Sequence, residues 1–278
     1  MSFYPQPNKY QCGPFALKYA LVMLGQFHNE KVIAAKAGSS WWYGTDEIGL
    51  ANAANYFDCT MKYFQSSAHA DSINQLISYL EKKIPCILSV DNWGHWLAVL
   101  NYDKQKFIVV DSGLEKVIVT YSARQLLKRW RYYDEAQAFE SYDGYALIPN
   151  IKVVTKANFT FERAKFVMRE RNADLASKWD SYFNDLINIC SPIRPNAKLT
   201  MSFTEFVRRH ENLLIKQVAY WHGTPSHPEL NKILDNMIFV AETYDLIIYA
   251  RDQKKALIDL SALLMMYTCG KYGMSRIY

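Results

Sequence analysis

The stretch NWGHWLAVLNYDKQKFIVVDSG, residues 92–113, decides how this chain is read. Two runs rich in Val, Ile, Leu and aromatics, His95–Tyr102 and Lys106–Val110, flank Asp103-Lys104, a pattern that predicts two strands closed into a hairpin. The residue that opens the first strand and the residue that follows the second then lie at the same open end. Those residues are His95 and Asp111, so an imidazole and a carboxylate are expected to meet there, with the hairpin orienting the ring.

Working outward, Cys86–Val90, Val117–Tyr121 and Tyr145–Ile148 read as further strands, bounded by Asn, Asp and Gly turn signals. Helices are predicted over Gly13–Leu24, with Pro14 in the first turn and Gly25 as a stop, and over Ile48–Tyr56, capped by Thr45 or Asp46. A third is capped by Asp71 and ended by Pro85, with Ile73, Leu76, Ile77 and Leu80 on one face, and a fourth runs over Ala123–Tyr133. Residues 1–150 are therefore expected to form an α+β domain, a helical lobe followed by a largely antiparallel sheet, closed by Pro149-Asn150. Beyond that point the apolar period is helical, over Phe161–Ile189, Phe203–Trp221, Glu229–Ala250 and Lys254–Tyr267, with Ser202 and Glu205 as a candidate capping box. The Pro-rich segments 191–196 and 222–228 read as loops, so residues 151–278 are expected to be an all-α domain.

Composition narrows the class. The chain has 278 residues, half of them apolar and 21% charged, too hydrophobic a balance for disorder. Its greasiest run, Ala256–Cys269, is interrupted by Asp259 and falls short of the roughly 20 residues of a membrane helix, so no membrane span is expected. The first residues lack the basic and apolar regions of a secretory signal, and a cytoplasmic location is expected. The five cysteines have no Cys-x-x-Cys spacing and are expected to be free thiols. The net charge of +5 comes from residues 151–278, without the dense clusters of a nucleic-acid footprint, so nucleic acid is not an expected partner. His210, His222 and His227 lack metal-ligand spacing, and neither a metal nor another cofactor is expected. Trp41, Trp42, Tyr43, Trp93 and Trp96 line a groove or pack a core; the sequence leaves both readings open.

Cys12 directly precedes the first predicted helix, where unpaired amides and the helix dipole favour a thiolate. A cysteine nucleophile needs a base to take its proton and a third group to orient that base. His95 and Asp111 supply both, and the chain order Cys, His, Asp is that of papain-like enzymes.

Together, Gln6-x5-Cys12-Gly13-Pro14-x-Ala16-Leu17, Gly94-His95-Trp96 and Asp111-Ser112-Gly113 resemble the double-glycine peptidase family, papain-like enzymes that process bacteriocin precursors, in its free-standing bacterial form. The resemblance covers about residues 1–150. It implies a papain-like fold and a cysteine peptidase acting on a protein or peptide substrate. It also implies Cys12 as nucleophile, His95 as base, Asp111 as the orienting acid and Gln6 as a side-chain donor to the oxyanion beside the Cys12 amide. Transporter-type members carry an acidic residue just before the cysteine, where this chain has Gln11. Two rivals stay open: an acyl-transferring, transpeptidase-like enzyme on the same triad, and a non-catalytic binding module whose helical half grips a protein or nucleic acid. The helical half itself is expected to select substrate, bind a protein partner or self-associate.

Overall fold

A computed structural model of the chain describes residues 2–40, 42–152, 155–193, 198–222 and 227–272. Trp41, residues 194–196 of the first Pro-rich loop and residues 223–226 of the second lie outside them, as do the side chains of His222 and Cys269. The chain divides into two compact units, Met1–Lys178 and Trp179–Tyr278.

The first unit begins with α1 (Cys12–Met23), buried along its whole length. Pro14 sits in its first turn, where a missing N–H costs nothing, and Gly25, at φ 70°, receives the chain as the helix ends. A fully buried helix brings Lys18 inside, and its ammonium is met by Glu30 at 3.0 Å and the Tyr4 hydroxyl at 3.1 Å. Next come α2 (Glu30–Lys36), capped by Asn29, and α3 (Glu47–Tyr56), capped by Asp46 through the Gly49 N–H at 2.7 Å. Then follow β1 (Cys59–Ser66), α4 (His69–Leu80), β2 (Cys86–Val90), β3 (His95–Asp103), β4 (Lys106–Val110), β5 (Ile118–Tyr121), α5 (Ala123–Trp130), β6 (Arg131–Asp134) and β7 (Phe139–Pro149).

The strands form one antiparallel sheet in the order β1-β7-β2-β3-β4-β5, with β6 paired to the far end of β7. One face packs on α1 and α3 through Ala16, Leu17, Leu50, Ala53, Ile87 and Trp96. The other packs on α4 and α5 through Leu76, Leu80, Leu88, Val99, Phe107 and Trp130. Covered on both faces, β2 is buried at all five residues, which is why it reads as a continuous apolar run rather than an alternating one. This is the papain-like α+β arrangement, a helical lobe and an antiparallel sheet.

Several boundaries differ from the sequence reading. The α4 helix starts at His69, so Asp71 lies inside its first turn instead of capping it. The helix from Ala123 stops at Trp130, and Arg131–Asp134 is extended because it pairs with β7. The first unit also continues past Asn150. The Ala157 N–H donates to the Met23 carbonyl at 2.8 Å, Phe159 is buried at 1% exposure, and α6 (Phe161–Val167) is entered by an N–H donated to Asp103. After a 3₁₀ turn at Glu170–Asn172 and the short α7 (Ala173–Ser177), the carbonyls of Ala176 and Ser177 accept from Phe3 and Ser2. The predicted single helix 161–189 is thus broken into pieces.

The second unit is helical: α8 (Trp179–Ile189), α9 (Phe203–His222), α10 (His227–Thr243) and α11 (Gln253–Tyr272). Its core holds Trp179, Phe183, Phe206, Leu214, Met237 and Leu264, and the Trp179 indole N–H reaches the buried Tyr244 hydroxyl at 3.1 Å. Three short strands accompany the helices: β8 (Ser191–Pro192), β9 (Thr200–Ser202) and β10 (Leu246–Tyr249), in the order β8-β10-β9. The last takes residues that the helical period assigns to α10. Among the described residues, no helix is long and apolar enough to cross a membrane.

Candidate active site

Cys12 opens α1 and is 7% exposed. His95 opens β3, paired in register with Val90 at the end of β2, and Asp111 follows β4. Since α1 lies against β3, helix start and strand start come together. The His95 Nε2 lies 2.6 Å from Asp111 Oδ1; a carboxylate only accepts, so this nitrogen carries the proton and Nδ1 is the one left for Cys12. Burial acts to lower the His95 pKa, but the Asp111 carboxylate first, and then Cys12, outweigh it and raise it to about 9.

Asp111 is almost wholly buried, and each of its oxygens has a donor. Besides His95, Oδ1 accepts the Gly113 N–H at 2.9 Å, and Oδ2 accepts Arg129 Nη1 at 2.5 Å. Burial pushes the carboxyl up; His95, Arg129 and Gly113 reverse this and hold it down at about 2. A side chain at position 113 would place its Cβ 3.2 Å from that carboxylate and 3.3 Å from the His95 ring, so glycine is what lets the backbone close over both.

Arg129, from the last turn of α5, also donates to Tyr121 and, through Nε and Nη2, to both oxygens of Asp91. Asp91 starts the turn between β2 and β3, in which Asp91, Asn92 and Trp93 have successive φ values of 54°, 56° and 62°. Backbone bonds tie this turn down too, from Asp91 N–H to the Arg129 carbonyl at 2.7 Å and from Gly94 N–H to the Asp91 carbonyl at 3.1 Å. One guanidinium therefore holds the carboxylate behind His95 and the turn that delivers His95. Nothing in the sequence marks Arg129 for this, because a basic residue in a last helical turn already serves the helix dipole.

Gln6 is tied to the same corner. Its N–H donates to the Ser112 carbonyl at 2.9 Å, its Oε1 accepts from Ser112 Oγ at 2.5 Å, and its Nε2 donates to the Asn8 carbonyl at 2.7 Å. The loop from Gln6 returns through Asn8, whose carbonyl also accepts from the Gln11 N–H. Thus a hydrogen bond joins His95 to Asp111, Cys12 at the start of α1 acts on the same imidazole, and Gln6 is fixed to the residue that follows Asp111. The other described thiols belong to the interior: burial pushes Cys59 up to about 11 and Cys190 up to about 12, and raises Cys86 as well.

A model of the Peptidase_C39 like family matches residues 1–138. No curated protein matches the chain. Among solved structures, the chain is similar to the peptidase domain of Streptococcus ComA, a bi-functional ABC transporter of a quorum-sensing pathway, at 17% identity, over 53% of this chain and 98% of that one, with a TM-score of 0.41. It is also similar to a double-glycine-motif protease from an AMS/PCAT transporter, solved with a leader peptide, at 14% identity, 53% and 90% coverage and a TM-score of 0.39. A third is a C39-like peptidase from Bacillus anthracis, at 13% identity, 54% and 95% coverage and a TM-score of 0.39. The family match spans Cys12, His95 and Asp111, so the first 138 residues of this chain match the Peptidase_C39 like family.

Proposed function

We propose that this chain is a cysteine peptidase that cleaves a peptide bond through a thioester on Cys12. The His95–Asp111 hydrogen bond beside a cysteine that opens α1 carries the reading. With Nε2–H committed to Asp111, Nδ1 holds the proton given up by Cys12, and the thiolate sulfur attacks the scissile carbonyl. The tetrahedral oxyanion forms beside the start of α1, where the Cys12 backbone N–H has no helical acceptor of its own and the Gln6 amide supplies a second donor. Collapse breaks the C–N bond, and the imidazolium protonates the departing amine. Water then attacks the thioester, gives its proton back to His95, and releases the carboxylic acid and free thiol. Asp111 stays ionised throughout, and Arg129 is proposed as the positioning residue that keeps it so.

The test is labelling with iodoacetamide followed by peptide mapping. Cys12 is expected to react at least about ten-fold faster than Cys59, Cys86 or Cys190, and His95→Ala is expected to remove that advantage. A complex peptide mixture incubated with the native chain and with Cys12→Ala then reports cleavage by mass spectrometry. Equal labelling of Cys59 and Cys12, or cleavage that survives Cys12→Ala, overturns the proposal.

A further inference from the structure

Beside the triad lies a cleft of about 660 Å³ whose lining the mechanism above does not use. It adjoins the nucleophile: a Cβ at Gly13 would meet Thr45 at 3.1 Å and Trp96 at 3.4 Å, and both residues line the cleft. Its walls are aromatic, with Trp93, Trp96, Tyr63 and Tyr145 facing it, and its charges are carboxylates, Glu47 and Asp143 among them. Among the described residues, no lysine, arginine or histidine lines it.

Three observations show what chemistry the cleft offers. Asp143 is 7% exposed and is held by Tyr63 at 2.5 Å, Ser141 at 2.6 Å and the Trp93 indole at 2.9 Å; all three donors are neutral, so they fix the carboxylate without cancelling its charge. The Tyr145 phenol is raised to about 12, first by burial and then by the charges of Glu47 and Asp143, so the two carboxylates act on one place. Ser89, 5% exposed and in register with Trp96 on β2, lines the cleft with a hydroxyl that forms no hydrogen bond in the described protein. The indole N–H groups donate to Asp143 and the Thr45 carbonyl, Tyr132 covers one face of Trp93 at 3.8 Å, and both indoles line the cleft with their rings. Ring faces, uncancelled carboxylates and a vacant hydroxyl acceptor together fit a cation that carries N–H donors.

We propose that this cleft is a specificity pocket for a basic side chain, arginine or lysine, close to the scissile bond of the peptide substrate; the proposal rests on the peptidase reading. The guanidinium or ammonium lies against the Trp93 and Trp96 faces, is balanced by Glu47 and Asp143, and donates to Ser89.

The test pairs peptides that differ only in arginine against citrulline, its neutral isostere. In cleavage, kcat/KM is expected to favour arginine by roughly ten-fold or more, the scale of one partly desolvated cation–π contact joined to ion pairing. Glu47→Gln narrows that ratio, Glu47→Lys abolishes it, and Ser89→Ala, an independent variant, narrows it again. A binding arm uses the Cys12→Ala chain and the quenching of tryptophan fluorescence by the same two peptides, and needs no turnover. Arginine-selective quenching without cleavage by the native chain supports the pocket and refutes the peptidase reading. Cleavage with equal rates for arginine and citrulline refutes the pocket and leaves the peptidase reading standing. Failure of both arms refutes both.

Discussion

Replacing Asp111 by asparagine keeps the shape of the side chain and removes only its charge and one acceptor. The carboxylate serves donors on both sides, His95 and the Gly113 N–H on Oδ1 and Arg129 on Oδ2. Asparagine cannot satisfy them all. With its carbonyl toward His95 and Gly113, its NH₂ faces the guanidinium, donor against donor. Turned round, the NH₂ faces His95, which must then present a lone pair from Nε2 and carry its proton on Nδ1, where a base toward Cys12 is needed. The rise of His95 from its ordinary 6.5 to about 9 corresponds to about 3 kcal/mol in favour of the imidazolium, and Asp111 heads the contributions that raise it. With that charge gone, burial still lowering the pKa and only Cys12 left to raise it, His95 should titrate clearly below 9. Turnover at neutral pH should fall by roughly 10³- to 10⁴-fold, the scale of a triad with the wrong tautomer. Arg129→Met in the same chain removes the donor–donor clash and should recover part of the stability lost in Asp111→Asn. The His95 C2 proton, followed by NMR from pH 5 to 10, and kcat measured in parallel are the assays. A ring that still titrates near 9, or turnover within ten-fold of the native chain, would falsify this account of the site.

Gln6→Ala should slow turnover by about 100- to 1000-fold, roughly 3 kcal/mol or somewhat more in the barrier, while Cys12 labelling persists; a larger loss from Gln11→Ala would exchange the two roles. The His95–Asp111 pair also sets a pH window for stability. Asp111 is depressed from 3.8 to about 2, so its contribution is present above 3.8 and lost as pH falls through 2. His95 is raised, so its contribution is complete below 6.5 and lost as pH rises through about 9, and urea midpoints should be highest between those limits. Midpoints still rising from pH 7 to 10 would contradict this. Finally, a fragment ending at Lys178 should fold alone, whereas one ending at Asn150 loses the buried Phe159 and should melt about 10 °C lower; equal melting temperatures would show that residues 151–178 are not part of the first unit.

The hairpin and the meeting of His95 with Asp111 at its open end were legible because every signal there is local: two apolar runs, a turn between them and a marked residue at each end. Cys12 was legible for the same reason, standing just before a Gly-Pro helix start. What sequence could not show is what the fold brings from afar. Residues Cys59–Ser66 are too mixed in polarity to announce a strand, and they become β1 by pairing with β7, some eighty residues later. Arg131–Asp134 continues a convincing amphipathic helix and leaves it for the same partner. The first unit runs on to Lys178 because Phe159 stacks on Phe3 at 6.1 Å, a contact no local period records. Arg129 stayed hidden in the same way, its two carboxylate partners lying 38 and 18 residues upstream.

The turn that delivers His95 stores energy. Three consecutive non-glycine residues, Asp91, Asn92 and Trp93, occupy left-handed backbone, each at a cost of about 1–2 kcal/mol, heaviest for the bulky indole. Glycine at position 92 would relax the turn and raise the melting temperature, yet it would also widen the range of paths by which the chain reaches β3. The protein here trades robustness for accuracy of aim. Selection for heat resistance alone should therefore enrich glycine in this turn, and the most stable variants should be among the slower catalysts.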